Sequence, residues 1–136
     1  MKIPADATVY DGVVPFHDCD PLEIVWHGHY YKYLEIGRTK LLQGYQLDVP
    51  DFKELGYRLV VIETRCRYAF PLRYGEAFQV KAWMIDWEQR LHIGYEIRNL
   101  THERRSAKAW TTLVTTDGQG NMLLETPYEI RRRIES

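Results

Sequence analysis

Much that would make this chain easy to classify is missing from it. Two cysteines, Cys19 and Cys66, are too few for a disulfide framework or a thiolate metal site. No window approaches the roughly 18 apolar residues that a membrane-spanning helix needs. The opening residues, Met1 to Asp6, form no apolar signal core, so cytoplasmic residence with reduced thiols is expected. An excess of one charge is lacking too, since 18 basic and 19 acidic residues leave a net charge of −1. Nucleic acid and anionic membranes are therefore not expected partners. The run Arg131-Arg132-Arg133 is short, is flanked by Glu129 and Glu135, and reads as a solvated tail. No Gly-x-Ser-x-Gly elbow, phosphate-binding loop or dinucleotide fingerprint occurs, which argues against serine hydrolases and the common nucleotide-dependent enzymes.

What remains is a chain sized for one domain, residues 1–136, able to bury roughly two-thirds of its unfolded surface. Val9 to His17 reads as a first strand, closed by the turn Asp18-Cys19-Asp20-Pro21. From Tyr30 the period changes. Tyr30, Tyr33, Leu34, Gly37 and Leu41 recur at helical spacing, with Ile36 and Leu42 widening the stripe, and Gly44 is a stop signal. A short helix is expected around Asp51 to Leu55. Beyond Gly56 the chain reads as strands almost to its end, over Leu59–Phe70, Phe78–Trp87, Arg90–Asn99 and Arg104–Thr116. The intervening turns are too short for parallel crossovers, so the sheet is expected to be antiparallel. The class is α+β, with one long central helix wrapped by a curved sheet of about five strands. One helix leaves a sheet edge uncovered, and a homodimer or homotetramer is the expected remedy.

The chemistry concentrates where the first strand runs into the long helix. Asp18 and Asp20 are both short carboxylates, and an extended backbone would turn them to the same side, so spacing does not choose between them. Asp20 precedes proline, which disfavours helical backbone there. Either Asp caps backbone N–H groups of the turn or serves as a base or nucleophile. His27 and His29 bracket Gly28, but no third and fourth ligand accompanies them, and no metal or other cofactor is expected. The backbone N–H groups from His27 to Tyr30 matter more. No Ser, Thr, Asp or Asn stands ready to cap them, which leaves them free to bind a developing oxyanion. Glu35 is expected to pair with Arg38 or Thr39, and Cys19 to act as a small packing residue. Trp26, Tyr31, Tyr45 and Tyr68 are candidates for an aromatic pocket, or equally for core or interface.

The segment Asp18-Cys19-Asp20-Pro21-Leu22-Glu23-Ile24-Val25-Trp26-His27-Gly28-His29-Tyr30 resembles the signature of the 4-hydroxybenzoyl-CoA thioesterase family of hotdog-fold enzymes. That family includes the Tol-Pal-associated acyl-CoA thioesterases. Glu35-Ile36-Gly37-Arg38-Thr39, Leu72-Arg73-Tyr74-Gly75-Glu76 and Asp117-Gly118-Gln119-Gly120 are further echoes, so the likeness spans nearly the whole chain. It implies a hotdog fold and hydrolysis of an acyl-CoA or acyl-carrier-protein thioester to the free acid. It also implies that Asp20 is catalytic rather than Asp18, and that the His27 N–H polarises the thioester carbonyl. Trp26, His29 and Tyr30 then fall against the substrate, and Arg90 falls where a basic residue meets the coenzyme, at a site shared between subunits. Two departures stand out. Leu22-Glu23 replaces a small pair, often Ala-Gly or Gly-Gly, which implies a different acyl pocket. No basic residue near Leu123-Leu124 matches one found in some relatives, which weakens the case for CoA over a carrier protein. The rival readings are a hotdog dehydratase or hydratase and a non-catalytic acyl-CoA binding module. Enoyl hydration measured beside thiol release separates the first, and tight binding without turnover marks the second.

Overall fold

The computed structural model describes residues 2–136, whose period-2 segments pair into one five-stranded antiparallel sheet. Its strands β1 (Thr8–Val13), β2 (Tyr57–Tyr68), β3 (Ala77–Asp86), β4 (Leu91–Asn99) and β5 (Arg104–Asp117) lie in the order β1-β3-β4-β5-β2. β4 is flanked on both sides, and its inward residues Leu91, Ile93, Tyr95 and Ile97 are wholly buried. The four later strands fall within two residues of the sequence reading. The first does not reach His17. It stops at Val13, because Pro15 has no N–H to donate and Phe16–Asp18 coil into a 3-10 turn.

The central helix α1 (Tyr30–Gly44) buries Tyr30, Tyr33, Leu34, Gly37, Leu41 and Leu42, the stripe that periodicity marked. Gly37 is the close-approach point. A Cβ built there would sit 2.8 Å from Val80 Cγ1, so only a glycine lets α1 lie this low on β3. The helix stop differs from the one expected. Gly44 is still helical, and the left-handed residue is Gln46, with φ 60°. Leu47 N–H bonds the Leu42 carbonyl at 2.8 Å and Gln46 N–H that of Gln43 at 2.9 Å, a Schellman closure. The wholly buried Leu47 supplies its hydrophobic contact.

A second helix, α2 (Val49–Leu55), is opened by a reciprocal Asp48–Asp51 capping box and ended by Gly56 at φ 83°. The C-terminal helix α3 (Tyr128–Glu135) corrects the reading of a solvated basic tail. Ile130 and Ile134 are buried, Arg132 pairs with Glu129 at 3.0 Å, and Arg133 Nη1 donates to the Gln46 carbonyl at 2.6 Å. Two isoleucines at i and i+4 in eight residues carried too little period to show against three arginines. No helix among the described residues is long and apolar enough to cross a membrane.

Replacing Gly37 tests how firmly α1 is seated. Overpacking costs about 1–3 kcal/mol, while alanine in a helix gains at most about 1 kcal/mol over glycine. Gly37→Ala should therefore lower the urea midpoint at unchanged m-value. An unchanged midpoint would show that the helix lifts from β3 freely.

Candidate active site

Between β1 and α1 the chain folds into a tight excursion pinned at several points. Asp20 N–H bonds the Ile24 carbonyl at 2.8 Å and Glu23 N–H the Asp20 carbonyl at 2.9 Å, which closes the turn. Isolated bridges join Cys19 to Val25 and Ile24 to Arg73. The turn forces Glu23 to φ 68°, the left-handed region in which a side chain costs about 1–2 kcal/mol. This is the second residue of the Leu22-Glu23 pair, where the resemblance leads one to expect a small residue.

The two aspartates, indistinguishable by spacing, have opposite surroundings. Asp18 ends a 3-10 turn and Cys19 after it is extended, so the uniformly extended stretch that the spacing assumed is not formed. Asp18 is 1% exposed, in the 3-10 turn, with Lys32 Nζ donating to Oδ1 and Tyr33 OH donating to Oδ2 at 2.6 Å. Burial opposes its charge, yet the Lys32 and Tyr33 hydrogen bonds outweigh burial and hold the carboxyl below the usual range. In return, burial and the Asp18 hydrogen bond push the Tyr33 hydroxyl well up. Both oxygens of Asp18 are therefore committed to structure. Asp20 is half-buried, and only Oδ1 is engaged, accepting from Leu22 N–H at 2.8 Å. The turn-capping role is real, and among the described residues it leaves Oδ2 without a hydrogen-bond donor.

The chain then enters α1 through a second 3-10 turn, His27–His29, with no side-chain cap at Trp26 or His29. Among the described residues no acceptor meets the N–H of His27 or Gly28. The carbonyl of His27 is held instead, by Tyr68 OH at 2.9 Å from the end of β2. Burial pushes the Tyr68 hydroxyl up, so it stays protonated as the donor. Sequence reading gave Tyr68 no such role, because its partner lies 41 residues away and no local pattern links them.

An aromatic rim surrounds this turn. Trp26, 48% exposed, packs on the rings of His27 and His29 at 5.1 and 5.4 Å. Tyr68 stands edge-on to Tyr30 at 4.9 Å. The Tyr30 ring itself is turned into the core, where burial pushes its hydroxyl up to about 12. Gly28 lies flat under the Trp26 ring, 2.3 Å from a would-be Cβ, so a larger residue would displace that ring. Tyr45 lies apart from the group, at the far end of α1.

The remaining candidates are dispersed. Arg90 is exposed in the β3–β4 turn, roughly 30 Å along β3 from the Ala77 end that adjoins the Asp20 loop. Glu35 forms no ion pair with Arg38 among the described residues. It lines a cavity of about 650 Å³ between α1, α2 and β2. Arg38 reaches Tyr95 OH at 3.5 Å instead. Cys19 packs against the core, and burial raises its thiol pKa, which fits a packing role.

A long helix lying on a five-stranded antiparallel sheet is the hotdog fold. A model of the thioesterase-like superfamily matches residues 14–134, and the chain belongs to that superfamily. YneP of Bacillus subtilis (strain 168), provisionally named an acyl-CoA thioesterase, is 30% identical over 105 residues, 76% of this chain and 75% of YneP. A hypothetical protein of Staphylococcus aureus, solved in complex with CoA, superposes with TM-score 0.86 at 14% identity. That match covers 99% of this chain and 85% of the other. Slr0204 of Synechocystis, a 1,4-dihydroxy-2-naphthoyl-CoA thioesterase, matches with TM-score 0.80 and 16% identity over 96% of each chain. At such identities the two structures speak for the fold.

The division of labour between the aspartates has a pH signature. A depressed folded pKa stabilises fully above the ordinary carboxylate pKa, and that stability is lost as pH falls through the folded value. Asp18→Asn should cost about 2 kcal/mol near neutral pH, the worth of hydrogen bonds to a charged group. The gap between wild type and variant should close on acidification below about pH 4. Urea unfolding across pH 2–7 measures it, and a gap that does not narrow would refute the assignment.

Proposed function

We propose that this protein hydrolyses an acyl-CoA thioester to the free carboxylic acid and the thiol, with Asp20 as the reacting carboxylate. The observation that carries the reading is the pairing of a half-free Asp20 carboxylate with unpaired N–H groups at His27 and Gly28, on one pinned loop. The thioester carbonyl oxygen accepts from those N–H groups, which carry the partial positive charge of a helix start. Negative charge developing on that oxygen is then stabilised by donors already in place, each worth about 10²–10³ in rate. Asp20 either takes a proton from water as the water oxygen attacks the carbonyl carbon, or attacks that carbon itself. In both routes the C–S bond breaks and the thiolate leaves with the electron pair. The second route passes through a mixed anhydride that water then opens. The provisional name of YneP supports CoA as the thiol carrier.

Trp26, Tyr31 and Tyr68 are exposed beside or near His27, and their rings favour a planar or conjugated acyl group. A second copy of the chain completes the assembly. β2 ends the sheet with one side unpaired and with Val60, Val61 and Ile62 each more than 40% exposed, an edge that favours association. Arg90, remote from Asp20 within one chain, meets the coenzyme only if another subunit brings it there.

Asp20→Asn should lower kcat by at least about 10²-fold on the best of a panel of aryl, short-chain and long-chain acyl-CoA and acyl-carrier thioesters. Thiol release reads it, and wild-type turnover by the variant would reduce Asp20 to a turn residue. Hydrolysis in ¹⁸O water bears on the route, since label that enters Asp20 over repeated turnover marks direct attack with the anhydride opened at the Asp20 carbonyl.

The association is tested separately. Sedimentation should give a dimer or larger for the wild type, and Val60→Lys with Ile62→Lys should shift it to monomer. A monomeric wild type at micromolar concentration would remove the subunit proposal.

A further inference from the structure

The segment Arg73–Glu76 takes no part in the chemistry above, yet it is the best-anchored loop beside it. Glu76 is a carboxylate with an 11% exposed side chain. Its Oε1 accepts from Arg73 N–H at 2.7 Å and from Asn99 Nδ2 at 3.0 Å, and its Oε2 pairs with His102 Nε2 at 2.5 Å. Asn99 is wholly buried and also donates to the Pro71 carbonyl at 3.3 Å. One side chain thus clamps the loop to the end of β4 and to the β4–β5 turn. Burial opposes the charge of Glu76, and the donors from Arg73, Asn99 and His102 outweigh it, holding the carboxyl below its usual range.

The other side of the same loop carries the Asp20 turn. The Leu72 carbonyl accepts Val25 N–H at 2.8 Å, and Arg73 bridges Ile24, whose carbonyl takes Asp20 N–H at 2.8 Å. Val25 leads in one step to Trp26 and His27. Both the carboxylate and the N–H donors of the site are therefore hung from Leu72–Arg73. A turn needing only a local cap would be served by one acceptor for Arg73 N–H. Three donors on a largely covered carboxylate instead make a strut into the sheet.

We propose that Glu76 is a positioning residue, which holds Leu72–Arg73 against β4 and so fixes Asp20 relative to the His27 N–H. The proposal rests on the thioesterase reading for its kinetic arm. Misplacement by about 1 Å costs up to about 10² in rate, so loss of the strut should appear in kcat.

Glu76→Ala should lower kcat at least about tenfold, with KM changed less than about threefold. Hydrogen exchange at the Asp20 and Val25 amides should speed up, while the β4 amides Ile93 and Tyr95 stay protected. Glu76→Gln keeps an acceptor for Arg73 and Asn99 and should restore most of kcat. Thr101→Ala is the control, because Thr101 Oγ1 accepts from Ala77 N–H at 2.9 Å, next to Glu76 but outside the Leu72–Arg73 contacts. It should cost stability and leave kcat unchanged. The proposal is overturned if Glu76→Ala keeps wild-type kcat, or if Thr101→Ala lowers kcat as much. If the wild type releases thiol from no member of the panel, the thioesterase reading fails. The exchange rates at Asp20 and Val25 then decide the strut alone, and unchanged rates reject it.

Discussion

The buried carboxylate of Asp18 is the joint on which the site depends. It stands at the end of the first strand's extension, and its two partners, Lys32 and Tyr33, belong to the first turn of the central helix. Its own carbonyl accepts Trp26 N–H at 3.1 Å. One residue therefore fixes the entry of the loop, its exit and the helix start against one another. A charge this deeply buried is tolerated only when it is fully hydrogen-bonded, and removing one partner would leave the cost uncompensated. That constraint explains why the neighbouring carboxylate can be left half free. The loop does not need Asp20 to hold its shape beyond the single bond to Leu22 N–H.

The helix start shows the complementary economy. Most helices satisfy their first N–H groups with a capping side chain, and α1 has none. Its stability comes from elsewhere: the buried stripe against β3, the Schellman closure at Leu47, and the Tyr68 hydroxyl holding the His27 carbonyl from outside. Tyr68 orients the peptide that carries the Gly28 N–H without occupying that N–H. A cap from Ser or Asp would have stabilised the helix by about 1 kcal/mol and occupied the N–H groups that the proposed mechanism uses.

Much of this was legible in the sequence, though unevenly. The helix stripe and the four later strands follow from periodicity because burial on one face leaves a repeat that no local chemistry hides. Asp18 and Asp20 were equivalent on spacing, because the 3-10 turn that separates them depends on contacts with Lys32 and Tyr33, 14 and 15 residues ahead. Only the resemblance singled out Asp20. Gly44 misled as a stop, since the closure is made two and three residues later by Gln46 and the buried Leu47. Helix α3 was hidden because its two-residue apolar stripe is outweighed by Arg131, Arg132 and Arg133. Glu76 was visible as part of a motif, but the clamp needs Asn99 and His102, residues that only the β3–β4 pairing brings alongside.

Unevenness of the remaining surface follows from the topology. In the order β1-β3-β4-β5-β2 the hydrophobic demand is met at β3 and β4, where α1 lies, and diminishes toward β2. β2 is twelve residues long, bulged between Val61 and Glu63, and exposed along most of its length. The cavity beside it, lined by Glu35 and Arg38 from α1, opens where a single sheet and a single long helix can no longer cover one another. Tyr68 stands at the end of β2 and bonds the His27 carbonyl, so this exposed edge runs up to the start of α1. A second copy that closed the apolar edge, as proposed, would border the His27 turn through Tyr68.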